Sequence, residues 1–151
     1  MMMKRKTKKM LAILLVIAVI VLLSYPAFAI FYTLHHYEKT NPYIMTLEQV
    51  QTANADKSTV VSIPVDNQTK GLLVTNLVYF PNMNQLSFGV FYSPSEGYPS
   101  HKYQIAVLTK DGEEKPIMTA GGPTYLYQKL EKIFVNQVDI ADVSKIVIRN
   151  R

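Results

Sequence analysis

The sequence predicts a mainly β protein: an N-terminal transmembrane helix followed by a small antiparallel β-sandwich, with an immunoglobulin-like arrangement among the topologies expected. Residues 10–34 form an unbroken apolar run with a basic cluster on one side only. From residue 59 onward, short β-branched and aromatic runs take over. Turn residues interrupt those runs about every ten positions, the spacing of an all-β sandwich or barrel.

The apolar run, MLAILLVIAVIVLLSYPAFAIFYTL, carries no charge. As a helix it rises about 37 Å, enough to cover a hydrocarbon layer of roughly 30 Å. Lys4, Arg5, Lys6, Lys8 and Lys9 precede it, and Glu38 and Lys39 follow it. The positive-inside rule therefore makes residues 1–9 a cytoplasmic basic tail and sends everything after residue 34 across the membrane. A buried core helix would show polar positions along one face, and this run shows none. Tyr25, Phe28, Phe31, Tyr32 and Tyr37 crowd its outer end, where an aromatic belt belongs. Pro26 is tolerable within a membrane helix.

A signal peptide is the competing reading. Met10–Leu23 would be its apolar core, Ser24-Tyr25-Pro26 its helix breaker, and Ala27-Phe28-Ala29 its small-x-small site, with cleavage before Ile30. The apolar run continues through Ile30, Phe31, Tyr32 and Leu34, which favours an uncleaved anchor. Both readings place the domain outside the cytoplasm, held at the cell membrane in one case and secreted or wall-associated in the other.

The net charge of +5 belongs to the tail. Once its five cations are set aside, the remaining 11 Lys and Arg match the 11 acids. A nucleic-acid reader carries its charge on the folded domain, so no nucleic-acid partner is expected. There is no cysteine, hence no disulfide, no thiolate ligand and no lipid-bearing cysteine. An exported domain without disulfides points to a bacterial chain.

Residues 35–58 read as a juxtamembrane linker. Asn41-Pro42 favours a turn. Thr46-Leu47-Glu48-Gln49-Val50 suits a short capped helix, with Thr46 and Gln49 at capping-box spacing. Ala53 to Ser58 is polar. The domain then occupies residues 59–151. Its expected strands are Thr59–Val65, with Pro64 arguing for an edge; Leu72–Phe80 and Gln85–Tyr92, joined as a hairpin by Pro81-Asn82-Met83-Asn84; Lys102–Thr109; Lys115–Thr119, after an Asp111-Gly112 turn; and Lys145–Arg149. Residues 93–101 and 120–123 read as loops. Tyr125–Val135 fits a strand or a helix face, and its β-rich neighbours favour strand.

No motif carries chemistry. His35 and His36 are adjacent and point apart, and His101 stands alone, so neither a metal nor a cofactor is expected. Glu113-Glu114 and Asp139/Asp142 read as turn or cap residues. Ser93 and Ser95 sit in no nucleophile motif, and Asn67-Gln68-Thr69 is a chance match to a glycosylation pattern. Tyrosine is the suggestive residue type. Tyr92, Tyr98, Tyr103, Tyr125 and Tyr127 flank or occupy the two loops, and such rings supply stiff, amphipathic contact area. The expected function is a non-enzymatic module, bound to the lipid bilayer through residues 10–34, whose tyrosines bind an envelope protein or a cell-wall component. A hydrolase or inhibitor released after Ala29 is the alternative.

Overall fold

The computed structural model describes residues 2–40 and 58–151. The first element is a single helix, α1 (Met2–His35), followed by a 3-10 turn at Tyr37–Lys39. It contains a span from Lys6 to His35 long and apolar enough to cross a membrane, compatible with an anchor or a signal sequence. The short helix anticipated at 46–50 lies outside the described residues.

The rest is β-rich. Its strands are β1 (Thr59–Val61), β2 (Val65–Asn67), β3 (Leu73–Val74), β4 (Leu77–Phe80), β5 (Gln85–Tyr92), β6 (Tyr103–Thr109), β7 (Glu114–Lys115), β8 (Met118–Thr124), β9 (Lys129–Val135) and β10 (Val143–Asn150). One helical turn, α2 (Pro99–Lys102), precedes β6. They form two sheets. The six-stranded sheet has the order β1-β4-β5-β9-β8, with β3 also on β5, and the four-stranded sheet has the order β2-β10-β6-β7. All pairings are antiparallel except β2 with β10, which is parallel.

One apolar cluster draws on both sheets. Leu86, Phe88, Val90 and Tyr92 of β5 meet Tyr103, Ile105 and Val107 of β6 and Ile146 and Ile148 of β10. Strand alternation fixes this set, because successive side chains point to opposite faces. The other β5 residues, Gln85, Ser87, Gly89 and Phe91, therefore occupy the outer face. They are not solvated: every residue of β4 and β5 is buried. A second cluster of Ile30, Tyr37, Val78, Phe80, Phe91 and Leu130 lies on that outer face. Its members from α1 and the 3-10 turn cover this face, so even the polar and small outer residues of β5 are buried.

Several expected strands divide. The 59–65 run splits at Ser62–Pro64, so β1 joins one sheet and β2 the other. Proline has no N–H for a ladder; the Pro64 carbonyl instead accepts from Ile146 N at 2.9 Å. The 72–80 run breaks at Thr75-Asn76 into β3 and β4. The loop expected at 120–123 is a strand, with β8 running through both glycines. As an edge strand it tolerates Pro123, and a register shift between Gly121 and Thr124 absorbs the irregularity. Residues 129–135 are strand rather than helix.

Candidate functional site

The C-terminal end of α1 is built into the domain. Pro26, Ile30, Thr33 and Tyr37 follow one another at three- and four-residue spacing, which puts them on one face. All four are buried, while α1 is exposed from Lys6 to Tyr25. Thr33 Oγ1 and the Tyr125 hydroxyl share a hydrogen bond of 3.0 Å.

The receiving notch is the break between β3 and β4. Thr75 keeps its place beside β5 through Gly89: Thr75 N donates to Gly89 O at 2.9 Å, and Gly89 N donates to Thr75 Oγ1 at 2.8 Å. The Thr75 hydroxyl donates onward to Asn76 O at 2.9 Å. Asn76 then serves the helix. Its N–H donates to Leu34 O at 2.8 Å, and its Nδ2 donates to His35 O at 3.1 Å and to Glu38 Oε2 at 2.8 Å. Its Oδ1 accepts from Tyr37 N at 3.0 Å. The last carbonyls of a helix lack partners within it; here a strand break supplies them.

Tyr37 seals the joint. It is wholly buried over Gly89, and its hydroxyl lies 3.5 Å from Ser87 Oγ. Burial pushes the phenol far above the ordinary tyrosine range, and the contact with Ser87 only partly offsets this. Burying a ring of that size contributes about 1.5–3 kcal/mol.

Tyr37 meets Ser87 and Gly89 of β5, whereas Thr33, about one turn earlier on α1, bonds Tyr125, whose ring packs on Phe91. α1 therefore leaves the domain at the C-terminal end of β5. The turn between β8 and β9, residues 125–128, stands at that same end, since Tyr92 pairs with Lys129. A concavity of about 250 Å³ lies between them, walled by Tyr25, Phe28, Tyr32 and Thr33 of α1 and by Tyr125.

The five tyrosines singled out in the sequence also gather at this end, with different exposures. Tyr92 closes β5 and Tyr103 opens β6, and both are buried in the shared core. Tyr98 is 47% exposed and packs its ring near Tyr92 and His101. Tyr125 is half-buried against Phe91. Tyr127 and Leu126 project from the turn, 48% and 72% exposed. Burial, together with the nearby Tyr98 and Glu131, raises the Tyr92 phenol.

Glu131 is the buried acid at this end. Its carboxylate accepts from Ser100 N at 2.9 Å and from the Ser100 hydroxyl, tying α2 to β9. Arg151 Nη2 donates to Ser100 O at 2.9 Å.

The remaining polar motifs have local roles. His35 lies against Phe31, and His36 against Tyr32. Among the described residues no group of three or more His, Cys, Asp or Glu could hold a metal ion. Asp139 Oδ1 accepts from Ala141 N at 2.9 Å as the cap of a 3-10 turn. Glu113 pairs with Lys115, and Glu114 with Arg149. Asn67 Oδ1 accepts from Thr69 N, and its amide donates to Leu72 O, so this asparagine is engaged in its own turn.

Comparisons with family models, curated proteins and solved structures find no match. Sequence reasoning missed the notch. Two signals for it were present: a glycine inside the QLSFGVFY strand, which marks close approach of another element, and the spacing of Pro26, Ile30, Thr33 and Tyr37.

Proposed function

We propose that this chain is a single-pass membrane protein with its N-terminus in the cytoplasm. Its C-terminal β-sandwich then stands outside the cytoplasm and binds an envelope partner without catalysis. The supporting observation is the docked helix end. Ile30, Thr33 and Tyr37 are core residues of the domain, and Asn76 caps the helix. A helix that is part of the fold holds the domain in a set orientation at the membrane, and tethering raises the effective concentration of membrane partners.

The same observation weighs against release. Cleavage after Ala29 would sever α1 next to buried Ile30, between residues that are helical on both sides. We read the domain as a two-layered sandwich, the six-stranded sheet packed on the four-stranded one through the shared apolar cluster.

The partner function is tested in expressing cells with a photo-crosslinking residue at Tyr98, compared with one at Lys110 near the opposite end. A discrete adduct to an envelope protein or wall polymer from Tyr98 alone supports binding through the tyrosine-bearing end. Equal, diffuse labelling from both positions contradicts it.

A further inference from the structure

We infer that the turn between β8 and β9 is a second membrane contact: Leu126 and Tyr127 enter the interfacial layer of the leaflet that α1 crosses. This rests on the reading of α1 as a membrane anchor. The Thr33–Tyr125 hydrogen bond fixes the turn against the helix. The concavity beside it reaches back to Tyr25, eight residues and about 12 Å nearer the membrane centre. Counted from Met10, a helix reaches roughly 30 Å, the thickness of the hydrocarbon layer, near Ala29. Tyr25 and Phe28 therefore lie within the outer boundary of the layer, and the turn stands beside them.

The chemistry of this end fits a lipid surface. Leu126 is more exposed than any other large apolar residue of the β domain among the described residues. Tyr127 next to it is amphipathic, like the rings on α1, and tyrosine is enriched at membrane interfaces. Lys70, Lys129 and Arg151 stand at the same end, where anionic headgroups attract cations, while Lys102 there pairs with Glu96 at 3.7 Å. The groove between helix and turn is walled by the rings of Tyr25, Phe28, Tyr32 and Tyr125.

The chain contains no tryptophan, so each introduced indole reports alone. The full chain is reconstituted in vesicles of mixed zwitterionic and anionic phospholipid as three variants, Leu126→Trp, Val19→Trp and Lys110→Trp. Val19→Trp reports on the anchor, and Lys110→Trp on the opposite end of the domain. The expected result for Leu126→Trp is a blue shift and loss of emission with lipids brominated near the headgroup. Val19→Trp loses emission with lipids brominated deep in the chain, and Lys110→Trp keeps its emission with both. If Leu126→Trp is unquenched while Val19→Trp is quenched, the second contact is overturned and the anchor stands. If a photo-crosslinking residue at Leu126 instead gives a discrete protein adduct in membranes of expressing cells, a protein covers the turn in place of lipid, which likewise overturns the proposal. If neither Leu126→Trp nor Val19→Trp is quenched, the anchor reading fails and the second contact fails with it.

Discussion

Tyr37 lies over Gly89 so closely that a methyl group on the glycine would sit 3.2 Å from the edge of the ring. The same methyl would come within 2.6 Å of Leu130 Cδ1 and 3.1 Å of Thr75 Cγ2. Three elements thus converge on one missing side chain: the 3-10 turn after α1, the β3–β4 break and β9. The absence of a Cβ is what allows the 3-10 turn to seat on the sheet.

Gly89→Ala is accordingly expected to destabilise the domain by about 1–3 kcal/mol through overpacking, and Gly89→Val by more. Urea unfolding of the full chain in micelles measures this. An unchanged midpoint for the alanine variant would contradict the account of the joint.

Asn76 supports the joint through hydrogen bonds rather than volume. Asn76→Ala leaves the buried Tyr37 N–H and the His35 carbonyl without their side-chain partner. The expected cost is about 1–3 kcal/mol for such an unmade buried bond. Hydrogen exchange at the Tyr37 amide should accelerate, while amides in β6 and β10 remain protected. Uniform acceleration across the domain would instead make Asn76 a general stability residue.

The buried phenol gives a pH dependence with a definite sign. The ordinary tyrosine pKa is 10.0, and in the folded state that of Tyr37 is raised well above it. Above pH 10 the unfolded chain gives up this proton while the folded protein retains it, so alkali favours unfolding. The Tyr37 contribution is fully present below pH 10 and is lost as pH rises from there toward the folded value. The loss can reach about 1.4 kcal/mol per pH unit. Tyr37→Phe removes this slope and keeps the ring, so its stability should gain on the parent above pH 10. Parallel stability curves for the two proteins would overturn this reading.

Much of the β domain was legible because burial and period agree. Leu86, Phe88, Val90 and Tyr92 alternate, and they form one wall of the core. The Asp111-Gly112 turn was also legible, since Gly112 takes a φ of 87° that suits glycine. The β8 strand was hidden because Gly121, Gly122 and Pro123 are local signals for a loop, and only pairing with β9 overrides them. The junction was hidden for a different reason. Tyr37 and Gly89 are far apart in sequence, and neither residue's local pattern names the other. The five tyrosines share one end of the domain, with alternation sending Tyr92 and Tyr103 inward.

Glu131 should matter for order rather than for reactivity. Glu131→Gln replaces one of the two carboxylate acceptors for Ser100 with an amide that cannot accept, at a cost of about 1.5–3 kcal/mol for a bond to a charged group. Tryptic cleavage after Lys102, in α2, should quicken in the variant. Cleavage elsewhere should be unchanged, and an unaltered digestion pattern would show that Ser100 does not depend on this carboxylate.

With α1 retained as part of the folded protein, the chain recovered from membranes of expressing cells after an alkaline wash will have the full-length intact mass. A chain beginning at Ile30, found in the medium or the wall, would contradict it.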